Sequence, residues 1–107
     1  MQHLTTPELA AWIANSSRQK PVLLDVREPW EFRTCRIDGS FNIPMHTIPG
    51  KLSELNAAQP IVCICHHGVR SLQVGLFLER NDFTQIINLT GGVHAWAQQV
   101  DDTMPTY

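Results

Sequence analysis

The segment Ile61-Val62-Cys63-Ile64-Cys65 constrains the fold of this chain most, because it is apolar at every position. A strand without a polar residue on either face suits the centre of a parallel sheet that helices cover on both sides. Pro60 precedes the segment and Gly68 breaks the chain after it, which bounds a short strand. The segment therefore predicts a buried central strand in an α/β fold.

Helix and strand signals alternate along the rest of the chain. Thr6, Pro7 and Glu8 are typical of a helix start, with Thr6 as the N-cap, and they predict a helix through about Ala14. Other apolar runs predict strands at 22–25, 41–43 and 85–89, and helices at 29–34, 71–80 and 93–100. Residues 48–55 are predicted to be loop with one helical turn. This alternation predicts an α/β domain with a mostly parallel central sheet flanked by helices.

The length and composition of the chain suit one domain with one core, at 107 residues of which 43% are hydrophobic. No repeat or linker divides residues 1–107. The core is predicted over about 6–100, followed by a polar and loosely held tail at 101–107. A net charge of −2 provides no basic field, and no apolar run is long enough to cross a bilayer. We therefore expect no nucleic-acid or membrane partner.

The three cysteines, Cys35, Cys63 and Cys65, cannot all pair with one another. They fit a reducing compartment, where a cysteine is either core filler or chemistry. The first residues of the chain lack the basic and apolar regions of a signal peptide. We therefore expect a cytoplasmic protein.

Cys65 stands at the carboxyl end of the predicted central strand, where ligands gather in open α/β sheets. The next residues curl into a predicted helix start, whose free N–H groups and dipole favour an anion. Gly68 permits a tight curl, and Arg70 adds a permanent positive charge. A cysteine in this setting is favoured as thiolate, so Cys65 is predicted to be a nucleophile rather than core filler.

Three stretches resemble the motifs of rhodanese-like sulfurtransferases, in the order of that family. Residues 65–71 resemble its C-x-x-G-x-R-[ST] loop, and residues 91–96 resemble its closing G-G-[IVL]-x-A-W. Residues 25–32 resemble its D-V-R-x-x-x-E-[FY] segment, which leads to the G-A-x-N-[IL]-P-like stretch at 39–44. Related phosphatases use C-x5-R, whereas four residues separate Cys65 from Arg70, and Ile64 stands where those enzymes usually carry histidine. The shorter loop and the isoleucine favour sulfur over phosphate as the transferred group.

The resemblance implies a double-displacement cycle without a cofactor. The Cys65 thiolate would take the outer sulfur of a small anionic donor, such as thiosulfate or a persulfide, and become a persulfide. Cyanide, a thiol or a protein cysteine would then accept that sulfur. Loop N–H groups would stabilise both the thiolate and the charge on the departing group. The implied anion-binding residues are those of the loop: His66, His67, Gly68, Val69, Arg70 and Ser71.

Alternative roles are left open for Asp25 and Arg27, for His66 and His67, and for Cys35. Asp25 and Arg27 end a predicted strand near the site, and we interpret them first as a supporting ion-pair network, with direct substrate contact second. Glu31 is grouped with them. His66 and His67 either tune donor binding and accept protons, or supply only their backbone N–H groups. Cys35 is a spare thiol or, alternatively, resolves the Cys65 persulfide as a disulfide.

No metal site is predicted, although Cys63, Cys65, His66 and His67 are all metal-ligand types. The run C-x-C-H-H lacks the separated pairs of a closed tetrahedral site, and Cys63 lies inside the apolar strand. His94 occupies a variable position of its motif and carries no prediction. Two functions follow from the whole sequence: a sulfurtransferase that turns over small molecules, or a persulfide carrier or regulatory module that acts on another protein.

Overall fold

Five strands and four α-helices make up the chain, and the computed structural model describes all 107 residues. The strands are β1 (Gln2–Leu4), β2 (Val22–Asp25), β3 (Phe41–Asn42), β4 (Ile61–Ile64) and β5 (Ile86–Leu89). The helices are α1 (Thr6–Ala14), α2 (Pro29–Thr34), α3 (Val69–Arg80) and α4 (Gly92–Gln99). Two 3₁₀ helices, Met45–Gly50 and Leu52–Glu54, connect β3 to β4.

The strands form one parallel sheet in the order β1-β5-β4-β2-β3, with β4 in the middle. All residues of β4 are buried, and alternate side chains enter two core layers. Ile61 and Cys63 pack in the layer that includes α3, whereas Val62 and Ile64 pack in the layer that includes α1 and α4. The prediction of an α/β domain around a buried central strand is confirmed.

The start of α1 differs by one residue from the sequence prediction. Thr5, rather than Thr6, is the N-cap: its Oγ1 accepts from Glu8 N at 3.3 Å, and Glu8 Oε1 accepts from Thr5 N at 2.9 Å. This reciprocal pair requires the cap and the acid to be three residues apart, which Thr5 and Glu8 are and Thr6 and Glu8 are not.

Other differences lie at element ends and at one edge of the sheet. Helix α3 begins at Val69 rather than residue 71, because Gly68 adopts a left-handed conformation and caps it. The segment predicted as loop contains the two 3₁₀ helices, and strand β1 was not predicted. None of the helices has both the length and the apolar character needed to cross a bilayer.

Candidate active site around Cys65

The Cys65 sulfur lies directly after β4, under the loop that leads into α3. The residue is 1% exposed, and Gly68 donates its N–H to Cys65 Sγ at 3.0 Å. The φ angle of +109° at Gly68 turns the loop back over the sulfur. The other N–H groups between residues 66 and 71 donate to no acceptor within the protein. The loop therefore offers unpaired donors for an anion beside Cys65, as expected of a helix start.

A buried chain of hydrogen bonds runs from the Cys65 sulfur through Ser71 and Asn88 to the backbone of Gly68. Ser71 Oγ lies 3.3 Å from Cys65 Sγ and 2.6 Å from Asn88 Oδ1, and Asn88 Nδ2 lies 3.3 Å from the Gly68 carbonyl oxygen. Since that carbonyl can only accept, the amide nitrogen of Asn88 faces it and the amide oxygen faces Ser71. Ser71 therefore donates to Asn88 and presents a lone pair to a Cys65 thiol. A thiolate would draw the Ser71 proton towards sulfur.

The amino-terminal end of α4 packs directly on the loop backbone. Val93 N donates to Cys65 O at 2.9 Å, and His94 N donates to His66 O at 3.0 Å. A Cβ atom on Gly92 would overlap the carbonyl oxygens of Cys65 and His66. Gly92 therefore permits the close approach that fixes the loop against α4, which gives the Gly-Gly motif a structural reason.

Arg70 forms a two-pronged ion pair with Glu31 of α2. Its Nη1 and Nη2 donate to the two carboxylate oxygens at 2.7 and 2.9 Å. The Arg70 side chain is 35% exposed and the Glu31 side chain 5% exposed. Arg70 above all, helped by Tyr107 and the Glu28 backbone, lowers the pKa of Glu31 to about 2 against the burial that opposes ionisation. Glu31 thus neutralises the arginine of the loop and ties the loop to α2.

Asp25 and Arg27 form a second ion pair, which is completely buried. Arg27 Nε and Nη2 donate to Asp25 at 2.7 to 3.1 Å, and Nη2 also donates to Cys35 O at 2.6 Å. Arg27 Nη1 donates to Tyr107 Oη at 2.9 Å and lies 3.9 Å from Cys35 Sγ. The guanidinium donors of Arg27 are therefore engaged within the protein, and this geometry suits a supporting network rather than substrate contact.

Tyr107 joins the two ion pairs. Its hydroxyl accepts from Arg27 and donates to Glu31 Oε2 at 2.6 Å, and its ring stacks on His66 with centroids 4.2 Å apart. Burial, followed by the Glu31 hydrogen bond, raises the pKa of Tyr107 to about 12. The hydroxyl therefore remains protonated near neutral pH. The segment 101–107 brings this residue back over the site, and no pattern in the sequence indicated that contact.

Three histidines gather beside the loop. His66 stacks on His67 with ring centroids 4.1 Å apart, and His94 of α4 lies 4.9 Å from His67 and 5.8 Å from His66. Burial first, and then the two neighbouring imidazoles, lower the pKa of His66. One ligand nitrogen from each of the three rings lies within 4.8 Å of those of the other two. Cys63, in contrast, points into the core, where burial raises the pKa of its thiol to about 12.

The sequence predicted that Asp25 and Arg27 lie near the loop residues. In the structure, Tyr107 and Glu31 connect Arg27 to Arg70 of the loop. Sequence reasoning did not single out Asn88, Tyr107 or His94. Asn88 carries a signal that could have found it, as the one polar residue of the apolar strand β5.

The largest surface depression, about 540 Å³ and lined in part by Gln2, Arg18 and Thr84, includes none of the loop residues.

A parallel α/β sheet whose central strand ends in a cysteine under a helix start defines a domain with a cysteine-centred anion-binding loop. The chain belongs to the rhodanese-like domain family, whose model matches residues 5–99. A crystal structure of a rhodanese-like domain protein from Staphylococcus aureus has a TM-score of 0.83 and 35% identity, covering 90% of this chain and 91% of that one.

Two curated relatives carry sulfurtransferase names. A sulfurtransferase of Allochromatium vinosum is 35% identical over 77 residues, which are 72% of each chain. The probable adenylyltransferase/sulfurtransferase MoeZ of Mycobacterium tuberculosis is 34% identical over 97% of this chain, which spans 26% of that protein. The family and these relatives support sulfur transfer as the general class of activity.

Proposed function

We propose that this domain is a sulfurtransferase that moves sulfane sulfur from thiosulfate or a persulfide to a thiophilic acceptor through a Cys65 persulfide. One observation carries the proposal above all others. The Cys65 sulfur receives the Gly68 N–H at 3.0 Å, while the neighbouring loop N–H groups have no partner within the protein. These donors suit a thiolate, a persulfide anion and the charged group that leaves the donor.

The cycle has two displacements at sulfur. In the first, the Cys65 thiolate attacks the outer sulfur of the donor, forming a new S–S bond. The donor's own S–S bond breaks and its electron pair leaves with sulfite, or with a thiolate when the donor is a persulfide. In the second, the acceptor attacks the outer sulfur of the Cys65 persulfide and the Cys65 thiolate departs. No cofactor takes part. Each displacement consumes one nucleophile and releases one leaving group with the electron pair of the broken bond, so the total charge is unchanged.

Arg70 acts in this proposal mainly by holding the loop. The family resemblance implied that Arg70 orients an anionic donor or braces the loop, and both of its terminal nitrogens are directed at Glu31. The charge of Arg70 is therefore offset before a donor arrives. Arg70→Ala should weaken anionic and neutral donors by similar factors, measured as kcat/KM for each. A selective loss for anionic donors would instead assign Arg70 to donor binding.

The nucleophile is tested by sulfur loading. We expect mass spectrometry of the wild-type chain after donor treatment to show an added sulfur, and the Cys65→Ser variant to show none. Cys35→Ser serves as the matched control, because Cys35 is also a buried free thiol and should not be needed for loading. Loading that persists in Cys65→Ser would contradict the assignment.

A protein acceptor is the second candidate, and two exposed side chains favour it. Trp30 is 53% exposed and Val69 is 66% exposed. Val69 belongs to the loop, and Trp30 lies edge-on to Tyr107 at 5.4 Å. Exposed apolar side chains on the loop and on the neighbouring helix α2 suit the docking of a protein better than of a small anion. Single-turnover kinetics distinguish the two: rapid cyanide-dependent thiocyanate release indicates the small-molecule enzyme, and a persulfide released only to a protein acceptor indicates the carrier.

A further inference from the structure

Three imidazole rings from two separate elements meet beside the Cys65 loop. His66 and His67 come from the loop and His94 from the first turn of α4, and their ligand atoms all lie within 4.8 Å of one another. We propose that His66, His67 and His94 bind a divalent transition-metal ion of the Zn²⁺ type. The proposed site adjoins the Cys65 loop and shares His66 and His67 with it, but the proposal does not depend on sulfur transfer.

The backbone holds two of the three ligands in a fixed relation. His94 N donates to His66 O at 3.0 Å, and the neighbouring Val93 N donates to Cys65 O at 2.9 Å. Gly92 allows these contacts because it has no Cβ atom to meet the loop carbonyls. The start of α4 therefore cannot drift away from the loop while the fold is intact. Much of the ordering that a metal site requires is present before the metal binds.

The remaining adjustment falls on the most exposed of the three side chains. In a tetrahedral zinc site with Zn–N distances of about 2.0–2.1 Å, neighbouring nitrogens lie roughly 3.4 Å apart. Because a metal binds in the plane of an imidazole, His67 must turn out of its stack on His66. His67 is exposed, so this rotation needs no change in the core. His66 and His94 are partly exposed, which leaves an entry route for the ion.

The surrounding charges do not oppose a cation. Arg70 is paired with Glu31, and Arg27 is paired with Asp25, so neither guanidinium presents an unbalanced charge. Imidazole nitrogen suits Zn²⁺, Cu²⁺ and Ni²⁺, and three imidazoles leave a fourth position open. The sequence prediction of no metal site considered Cys63, Cys65, His66 and His67, and it did not include His94.

The test is direct Zn²⁺ titration of the full chain against a chromophoric chelator near neutral pH, without any sulfur donor. We expect one ion per chain, and a loss of affinity of at least roughly tenfold in both His94→Ala and His67→Ala. His46→Ala is the matched control, because its side chain is 70% exposed and lies outside the cluster. It should bind Zn²⁺ as the wild type does. Co²⁺ should give the d–d absorption of a tetrahedral site.

A wild-type chain that binds no Zn²⁺ would overturn the proposal, and so would two results with the variants. The first is wild-type affinity in both His94→Ala and His67→Ala. The second is binding that is lost in Cys65→Ser and retained in the histidine variants, which would assign the metal to the thiol. Circular dichroism of each metal-free variant establishes that it is folded. If His94→Ala is not folded, the Zn²⁺ affinity of His67→Ala alone tests the proposal, because His67 is an exposed loop residue whose replacement should not disturb the fold. Sulfur loading of Cys65 is measured separately, so either hypothesis can fail alone.

Discussion

Replacing Glu31 with glutamine removes the charge that holds Arg70 while it keeps the size of the side chain. Glu31 accepts from both terminal nitrogens of Arg70, from the Tyr107 hydroxyl and from the Glu28 backbone, at 2.6 to 3.0 Å. A glutamine has one oxygen instead of two, and it places an amide N–H group where a donor now points. We therefore expect Glu31→Gln to destabilise the fold.

The magnitude follows from the pKa of the carboxyl group. Lowering it from 4.5 to about 2 corresponds to about 3 kcal/mol of preference for the ionised form in the folded protein. A glutamine retains part of the hydrogen bonding, so we expect a loss of about 2 kcal/mol. In a domain of this size the midpoint of thermal unfolding should then fall by roughly 10 °C.

The same pKa determines how the effect depends on pH. The folded-state pKa of Glu31 lies below its ordinary value, so its contribution is complete above 4.5 and is lost as the pH falls towards 2. Between neutral pH and pH 3 the wild type should lose about 2 kcal/mol of this contribution, so its difference in unfolding free energy from Glu31→Gln should nearly vanish at pH 3. Urea unfolding followed by circular dichroism, at near-neutral and at acidic pH, measures it.

Glu54→Gln is the matched control. Glu54 pairs with Lys51 at 3.7 Å, but both side chains are about half exposed, so the change should be close to zero. The reasoning is refuted if Glu31→Gln loses no more stability than Glu54→Gln. A loss in Glu31→Gln that stays constant from neutral to acidic pH would equally refute the role of the ionised carboxylate.

Three further substitutions test other contacts of the site. Gly92→Ala should destabilise the fold by at least about 2 kcal/mol in urea, because φ is +60° and the methyl group meets loop carbonyls. Gly50→Ala, which faces open space, should be near neutral. Asn88→Ala should lose about 2 kcal/mol, since the buried Ser71 hydroxyl loses its acceptor and the Gly68 carbonyl keeps only the Leu72 N–H; an unchanged urea midpoint would contradict that network. Tyr107→Phe should lose about 1 kcal/mol by thermal unfolding, and no loss would show that its hydroxyl bonds contribute nothing.

The parts of the fold that the sequence predicts are those with a local signal. The apolar run of β4 has no alternative to burial on both faces, so its central position could be predicted. Strand β1 has no such signal, because Gln2 and His3 are exposed and its pairing with β5 brings together residues far apart in the chain. The N-cap was misplaced by one residue because two adjacent threonines precede Pro7, and only the partner of Glu8 distinguishes them.

The candidate site divides in the same way. Cys65, Gly68 and Arg70 lie within six residues, and their spacing alone indicates an anion-binding loop. The partner of Arg70 lies 39 residues away. Tyr107 reaches Glu31 across 76 residues, and only the folded chain brings them together. His94 could not be assigned from its motif, since its meeting with the loop depends on how α4 packs.

The unpaired N–H groups between residues 66 and 71 have a consequence for how domains of this kind diversify. Every residue except proline carries the same N–H group, so exchanging a loop side chain preserves these donors. Gly68 is restricted by its left-handed backbone and Arg70 by its pairing with Glu31, whereas positions 66, 67 and 69 have no such requirement for holding an anion. Sequences can therefore vary at these positions and acquire new partners on an unchanged backbone scaffold.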